Sequence, residues 1–421
     1  MNALLLVGLV AALLLLRQPL MVILLAIAAA VQLIWGRGQL DYIVEDMWVA
    51  LDKELILSIP LFMLCGSVMT RGTTARRLIA VMEALTRPLP GGLGVACVLT
   101  CALFASISGS SIVTMLAVGT VMFPAMTQAG YDEKFALGAV MAGGTLGIII
   151  PPSIPMILYG LVTETSITEL FLAGVGPGLL LTSLFALYAM WFNRRMPTQP
   201  FSLRALATAL REGVWALLTP VILLGGIYSG FFTTTEAAAV GLLYALLIER
   251  FVHRTFAFAD FRHVVLETSK LGGSLFPVLA VALSLNLVLI EHRVPSQMVE
   301  VVRGWIDSPQ AFMLGVNLLL LGVGALMTTG EAILVLAPLL APVAESFGYD
   351  RVVFGVIMIL NLEIGFLTPP VGLNLIVAMT AFKKPFGLLC RAAVPVLLLM
   401  LLALALVVIE PRIAMYLVRG G

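Results

Sequence analysis

Long apolar runs dominate this chain, and short polar segments separate them from end to end. A helix that crosses a membrane needs about 20 consecutive apolar residues. Only 11% of the 421 residues are charged, whereas soluble domains carry about 25%. Because a soluble core could not cover this much apolar surface, the sequence predicts an all-α polytopic membrane protein. The predicted spans are residues 2–16, 20–36, 54–70, 135–163, 167–191, 213–229, 232–249, 271–290, 355–380 and 387–410.

Two further apolar blocks, 93–127 and 312–345, are interrupted near their middle. The first contains Ser-Ile-Ser-Gly-Ser-Ser at 106–111, and the second contains Thr-Thr-Gly-Glu at 328–331. Each arm has about 16 residues, which is short for a complete crossing. Irregular backbone at membrane depth must meet protein or water rather than lipid. We therefore expect two re-entrant helical hairpins with polar tips.

An internal repeat relates the two halves of the chain. Identical residues recur at a constant separation, and the predicted spans superimpose at the same separation. Each half then has about five spans and one hairpin, and the odd number of spans inserts the second half upside down. This inverted repeat is typical of secondary transporters. The matching residues are Pro124 and Pro342, Gly130 and Gly348, Tyr131 and Tyr349, Asp132 and Asp350, Gly147 and Gly365, Pro151 and Pro369, and Pro152 and Pro370.

The repeat sets the predicted domain boundaries. Residues 1–200 form the first inverted repeat, with hairpin 93–127 and broken span 135–163. Residues 201–421 form the second, with hairpin 312–345 and broken span 355–380, so that scaffold and transport elements are interleaved along the chain.

Basic residues predict the orientation in the membrane. By the predicted topology their clusters all fall on one side, which the positive-inside rule makes cytoplasmic. The clusters lie at 71–87, 194–195, 250–270 and 383–384. The first hairpin then enters from the inside and the second from the outside.

Each half contains two interruptions that could form a binding site: a hairpin tip and a Pro-Pro pair within the next span. Consecutive prolines open a helix. The freed carbonyls can coordinate a cation, and helix N-termini can hold an anion. The alternative is that the small residues only allow close helix packing, but the same arrangement in both halves favours a binding site.

Acidic residues narrow the choice of coupling ion. The candidate intramembrane acids are Glu236, Glu331 and Glu363, and such residues are commonly functional. Glu236 also fits an N-terminal cap of its span. With no buried Asp–Arg or histidine relay, hydroxyl and carbonyl oxygens favour Na+ over a proton.

The serine cluster at 108–111 is the best candidate for an intramembrane hydrolase, which is the competing class. Such an enzyme needs a buried base near its nucleophile. His253, His263 and His292 instead flank the predicted spans in polar segments, so we expect no enzyme activity. A net charge of +1 gives no field to attract nucleic acid.

Four motifs support a family resemblance over essentially the whole chain: FASISGSS at 104–111, GGTLGIIIPPS at 143–153, TEA at 235–237 and TPPVGLN at 368–374. With these motifs the chain resembles the large, DctM-like membrane subunit of tripartite ATP-independent periplasmic (TRAP) transporters. The resemblance implies a multi-pass protein of the bacterial inner membrane. It implies Na+-coupled secondary uptake of a small organic acid, such as a C4-dicarboxylate or sialic acid, with Na+ as coupling ion and no other cofactor.

The resemblance also implies partners and a mechanism. The partners are a four-helix small membrane subunit, which lies beside this chain in the lipid bilayer, and a periplasmic binding protein, which delivers the substrate. The fold is an elevator-type ion-transporter fold, in which the hairpins and broken spans move against a scaffold. Much of that scaffold would be formed by spans 2–36, 167–191, 213–249 and 387–410.

Site residues follow from the family's pattern. The expected Na+ ligands are Ser108, Gly109, Ser110, Ser111, Thr145, Gly147, Pro151, Thr328, Thr329, Gly330, Gly365, Thr368 and Pro369. The expected substrate-binding residues are Ser110, Ser111, Pro152, Ser153, Thr329, Glu331, Pro370 and Asn374. The second tip departs from the family's usual pattern, because Thr328 rather than an acid follows Met327. Glu363 stands where relatives often have a small residue.

One alternative function stays open from the sequence. A standalone Na+- or H+-coupled carboxylate carrier would have the same paired interruptions and would need no binding protein. A channel is less favoured, because inverted repeats with discontinuous helices are typical of alternating access.

Overall fold

The computed structural model describes residues 8–9, 12–13, 15–16, 18–34 and 40–418. Most of the predicted span 2–16 therefore lies outside the described residues. The principal helices of the first part are Leu20–Ile34, Asp41–Leu51, Glu54–Arg71, Thr74–Thr86, Gly92–Ser108, Ser111–Gln128, Glu133–Ile149, Ile154–Thr163 and Ile167–Phe192. Those of the second part are Leu203–Tyr228, Thr234–Leu247, Phe258–Glu291, Val294–Trp305, Pro309–Gly324, Thr329–Ser346, Arg351–Phe366, Leu373–Phe382 and Phe386–Ile409.

The predicted all-helical polytopic architecture is confirmed over the described part of the chain. Eight described helices are long and apolar enough to cross a membrane, or nine if one bent pair counts as a single span. That pair is Val294–Trp305 and Pro309–Gly324, which meet at 115°. The first helix of the pair buries none of its residues, as a helix lying in a membrane interface would.

Two helices, Leu203–Tyr228 and Phe258–Glu291, extend beyond the apolar runs 213–229 and 271–290 that predicted them. Helix Phe258–Glu291 has 34 residues, although only 271–290 was expected to be helical. Arg262 and Lys270, which belong to the predicted basic cluster at 250–270, therefore lie on this helix. An analysis of hydropathy detects only the apolar part of a helix, so it misses helical turns that continue through charged residues.

Helix Thr74–Thr86 was not predicted. Its apolar residues follow helical spacing, and Leu78, Val81 and Met82 are buried. This face packs against Leu203–Tyr228 and Gly92–Ser108. Arginines on the other face made the segment resemble a basic loop.

The two interrupted blocks form helix pairs at the predicted hairpins. Gly92–Ser108 and Ser111–Gln128 pack together and are joined by Gly109 and Ser110. Gly109 has φ +61°, a left-handed conformation that favours glycine. Pro309–Gly324 and Thr329–Ser346 form the other pair. We name residues 106–111 the first tip and residues 325–331 the second tip.

The two broken spans lie at the centre of the molecule. Each consists of two helices, Glu133–Ile149 with Ile154–Thr163 and Arg351–Phe366 with Leu373–Phe382. We name residues 150–153 the first break and 367–372 the second break; both contain a cis Pro-Pro peptide.

At this centre, helices of one half of the chain pack on helices of the other half. The helix after the first break packs on Thr329–Ser346, and the helix after the second break packs on Ser111–Gln128. Each broken span therefore contacts the helix pair of the other half.

Candidate functional site

The first tip gathers buried hydroxyls. Ser108 Oγ lies 2.6 Å from Thr114 Oγ1, and both residues are buried. The Ser110 carbonyl accepts a hydrogen bond from the backbone N–H of Thr114 at 3.1 Å. Ser110 itself is partly exposed, whereas Ser111 is buried. Three predicted ligands therefore lie within one turn, and Thr114 is an additional hydroxyl that the sequence analysis missed.

The first break and the residues beside it pack directly on the first tip, where a Cβ atom added at Gly109 would lie 3.0 Å from the Pro152 carbonyl oxygen. The Gly109 carbonyl accepts a hydrogen bond from Ile154 N–H at 3.2 Å. A Cβ atom added at Gly147 would lie 2.4 Å from the Ser110 carbonyl oxygen and 2.6 Å from Thr114 Oγ1. Gly147 is therefore glycine because backbone and hydroxyl oxygens of the tip occupy the space of a side chain.

Other predicted residues of the first break are bonded to their own segment. Thr145 Oγ1 donates to the Ala142 carbonyl at 2.7 Å. Ser153 Oγ donates to the Ile148 carbonyl at 2.6 Å and accepts from Met156 N–H, which caps the following helix. Pro151 and Pro152 are buried.

The second tip is closed by a helix cap. Thr328 and Glu331 form a capping box, in which each side chain accepts a hydrogen bond from the other's backbone N–H at 3.2 Å. Thr329 is buried, and its hydroxyl has no hydrogen-bond partner among the described residues. Gly330 faces Leu158 of the first broken span, because an added Cβ would lie 3.3 Å from its Cδ1.

The second break contacts the second tip much as the first break contacts the first. Just before the second break, a Cβ added at Gly365 would lie 2.6 Å from the Cα of Gly324, the residue that precedes the second tip. Gly372 N–H approaches the Ala325 carbonyl at 3.4 Å. Gly372 occupies the same repeat position as Ile154, so equivalent residues bond to equivalent tips. Thr368 Oγ1 donates to the Ile364 carbonyl at 2.7 Å, and Pro369 and Pro370 are exposed.

A buried polar cluster joins the first tip to the second broken span. Asn374 Nδ2 donates to Ser111 Oγ at 2.6 Å and to Glu363 Oε1 at 2.9 Å. All three residues are buried. Glu363 Oε2 and Asn374 Oδ1 have no hydrogen-bond partner among the described residues. The sequence analysis named these residues but placed no contact between them.

Glu236 serves as a helix cap. Its carboxylate accepts a hydrogen bond from Thr233 N–H at 2.8 Å, and Thr233 Oγ1 accepts one from Glu236 N–H. This is the structural role that the sequence left open for Glu236.

The fold and the paired broken helices define a polytopic membrane transporter subunit. Residues 7–413 match the family described as tripartite ATP-independent periplasmic transporter, DctM component. The chain belongs to this family: it is a TRAP-transporter large permease component, a multi-pass protein of the bacterial inner membrane, and not an enzyme. As a component of a tripartite transporter, it works with partner subunits and a binding protein.

Known relatives cover most of the chain. The C4-dicarboxylate TRAP transporter large permease protein DctM of Pseudomonas aeruginosa is 42% identical over 86% of this chain and 86% of its own length. The sialic acid TRAP transporter large permease protein SiaM of Vibrio cholerae is 34% identical over 94% of this chain and 93% of its own. The crystal structure of the Alcanivorax borkumensis YdaH transporter matches with a TM-score of 0.64 at 14% identity, covering 92% of this chain and 90% of that one. This last likeness concerns the fold alone.

Proposed function

We propose that this chain is the permease subunit for Na+-coupled uptake of a small organic acid that a periplasmic binding protein delivers. The observation that carries the proposal is the packing of each hairpin tip on the break of its own half, together with the Ser111–Asn374 hydrogen bond between halves. Solute and ion sites formed by discontinuous helices at the interface between repeats are typical of secondary transporters.

Oxygen chemistry supports Na+ at the first tip. Ser108, Thr114 and the Ser110 carbonyl present neutral oxygens beside Gly147. Hard cations prefer oxygen ligands. A monovalent cation needs little negative charge on those ligands, so neutral oxygens are sufficient. The remaining Na+ residues that we propose are Gly109, Ser111, Thr145, Pro151, Thr328, Thr329, Gly330, Gly365, Thr368 and Pro369. Because Thr145 and Thr368 donate their hydroxyl hydrogens to backbone carbonyls, their hydroxyl oxygens keep lone pairs for a cation.

The substrate site is proposed between the tips. Ser110, Ser111, Pro152, Ser153, Thr329, Glu331, Pro370 and Asn374 would face the solute. The relatives include a C4-dicarboxylate permease and a sialic acid permease, so a small carboxylate is the expected class of substrate.

Transport is proposed to follow an elevator mechanism with two inversely inserted repeats, residues 1–200 and 201–421. The hairpins and broken spans would move together, because each broken span packs on the helix pair of the other half. A four-helix small membrane subunit would complete the scaffold.

The test is uptake by the complex in liposomes. The chain is reconstituted with its small subunit, the binding protein is added outside, and an inward Na+ gradient is imposed at equal pH on both sides. We expect accumulation of the carboxylate that depends on Na+ and on the binding protein. Accumulation without Na+ would refute the coupling, and equal accumulation without the binding protein would favour the standalone carrier.

A further inference from the structure

A cavity of about 530 Å³ lies between the first hairpin and the helices Glu54–Arg71 and Phe258–Glu291. We name it the inner cavity. Small-molecule sites have volumes of about 300–1,000 Å³ and mostly apolar walls with a few polar groups. The inner cavity has both properties, so it is suited to a small organic acid. Its apolar lining residues are Ile112, Val113, Leu116, Val264 and Leu271.

One end of the inner cavity lies beside the first tip. Ile112, which lines the cavity, directly follows Ser111. Ser67 also lines the cavity and directly follows Gly66. A Cβ atom added at Gly66 would lie 3.0 Å from Ser108 Cα, so the backbones of this helix and of the tip are in close contact. The cavity therefore begins where the proposed ion and substrate sites end.

The inner cavity opens on the predicted cytoplasmic side, because its lining includes residues of the basic cluster 250–270. A smaller cavity of about 270 Å³ lies near the other end of helix Phe258–Glu291. On helix Thr329–Ser346 the lining of this smaller cavity begins at Pro338, about two turns beyond the second tip. The larger opening beside a tip therefore faces inward in this structure.

Lys270 lines the inner cavity and has no ion pair among the described residues. Arg71 also lines the cavity, but its Nε lies 2.9 Å from Asp260 Oδ1. Glu267, the acid in the lining, has its carboxylate 2.8 Å from His263 Nε2. Both acids near this cavity thus have partners, which leaves the Lys270 ammonium available to a passing anion.

An anionic solute needs such donors, because the tips and breaks contain no basic residue. Thr70 Oγ1 in the same lining donates its hydrogen to the Gly66 carbonyl at 2.8 Å. The Ser67 hydroxyl, in contrast, has no hydrogen-bond partner among the described residues. Hydrogen bonds to a carboxylate are about twice as strong as those between neutral groups. Ser67 and Lys270 are therefore the donors that suit a carboxylate in this cavity.

We propose that the inner cavity is the route by which the carboxylate leaves to the cytoplasm, and that Ser67 and Lys270 bind the anion on this route. The Ser67 hydroxyl receives the carboxylate beside the first tip, and the Lys270 ammonium attracts it away from the tip. This inference rests on the proposed uptake function and gives it an exit with two further substrate-binding residues.

The experiment uses a Ser67→Cys reporter in the complex, with Cys390→Ser added because the other three cysteines are buried. Inside-out membrane vesicles present the cytoplasmic face, and the reporter is labelled with an anionic or a cationic methanethiosulfonate. The ratio of the two rates cancels the reactivity of the thiol itself. Compared with free cysteine, we expect this ratio to favour the anionic reagent.

Charge reversal tests the role of Lys270. Adding Lys270→Glu should lower the ratio about fivefold or more, because the anionic reagent is then repelled and the cationic one attracted. Arg262→Glu is the matched control: it makes the same change of charge at an exposed position of the same helix that does not line the cavity. Equal ratios in these two variants would overturn the proposal.

Protection connects the cavity with the substrate. With Na+ present, succinate or sialic acid should slow the labelling of Ser67→Cys, and should do so less when Lys270→Glu is added. Val113→Cys, which lines the cavity on the hairpin side, is the reporter if Ser67→Cys does not insert. Labelling that neither acid slows would overturn the proposal.

An anionic lipid headgroup is the other anion that would suit Lys270. In nanodiscs, phosphatidylglycerol would then slow the labelling relative to phosphatidylcholine, and this result would replace the exit route with a lipid site. Uptake by the wild type in liposomes separates this inference from the proposed function. Absence of Na+-dependent uptake would count against that function, while the labelling ratio would still report whether the cavity opens inward and attracts anions.

Discussion

Two buried glutamates show how the surroundings decide the role of one residue type. Glu249 accepts hydrogen bonds from the backbone N–H groups of Thr73 and Thr74 and from the Thr74 hydroxyl, at 2.6 to 3.1 Å. Glu363 has a single amide donor at hydrogen-bonding distance. The first carboxylate is therefore held by several backbone and hydroxyl donors, whereas Oε2 of the second has no hydrogen-bond partner among the described residues.

Histidine does not supply the charge that balances Glu249. His253 Nδ1 lies 3.3 Å from its carboxylate. Burial lowers the pKa of His253, and although Glu249 opposes this, Arg77 acts in the same direction as burial. The imidazole is therefore neutral near pH 7, and the N–H and hydroxyl donors of residues 73 and 74 hold the carboxylate.

The Glu249→Gln variant should be less stable than the wild type. The amide replaces one accepting oxygen with a donor, and even with that donor at the Oε2 position it faces the Thr73 backbone N–H, at a cost of about 3 kcal/mol. Thermal unfolding in detergent should show a lower melting temperature. The exposed Glu300→Gln variant serves as control, and equal melting of the two variants would contradict the role assigned to Glu249.

The Ser108→Ala variant should lose apparent affinity for Na+. One hydroxyl ligand is removed while the packing volume changes little. We expect the affinity for Na+ to fall about tenfold, which corresponds to about 1.4 kcal/mol. The measurement is the Na+ concentration that gives half-maximal uptake. Ser106→Ala is the matched control, because Ser106 donates to the carbonyl of its own helix at 2.6 Å. Similar Na+ dependence in both variants would remove Ser108 from the site.

At the scale of elements, each tip packs closely on its break because glycines stand at the contacts and leave no side chain between them. Gly147 faces tip oxygens, and Gly365 faces the backbone of Gly324. The helix that precedes each break buries nearly all its residues, so there is little free space on that side to accommodate a displaced tip. Pre-formed geometry of this kind is what an ion site requires.

The Gly147→Ala variant tests this close approach. The methyl group would push the first tip away from its break, and a shift of about 1 Å at a binding site can cost two orders of magnitude in rate. Uptake should fall by at least tenfold while membrane insertion persists. Gly225→Ala is the control, because nothing lies within 4 Å of an added Cβ there. Normal uptake by Gly147→Ala would show that the tip can move freely.

At the scale of the whole molecule, the packing of each broken span on the other half joins the repeats into one unit. The Asn374–Ser111 hydrogen bond adds a polar contact across the same boundary. Distant segments thus share one centre, as the proposed elevator movement of hairpins and broken spans requires.

Orientation in the membrane gives a prediction at this scale. Cysteines introduced as Arg195→Cys and Ser296→Cys lie at exposed positions on opposite predicted sides. An impermeant thiol reagent applied to whole cells with a permeable outer membrane should label the Ser296→Cys variant and spare Arg195→Cys until the inner membrane is opened. Cys65, Cys97 and Cys101 are buried, and the partly exposed Cys390 is replaced by serine in both variants to keep the background low. Labelling of both from outside would refute the inverted insertion.

The sequence by itself determined the helical membrane architecture, the two tips and the two breaks. Hydropathy is read over a local window, and proline, glycine and hydroxyl residues mark interruptions where they occur, as at Pro151-Pro152 and Ser108–Ser111. The constant separation of matching residues also predicted the repeat without any coordinates.

Only the tertiary structure decided which interruptions meet. Ser111 and Asn374 are hundreds of residues apart, and no local pattern signals their hydrogen bond. Helix Thr74–Thr86 and the role of Glu249 depend equally on packing between distant segments. Local composition sets what each segment can form, whereas long-range packing selects the partners that satisfy its buried polar groups.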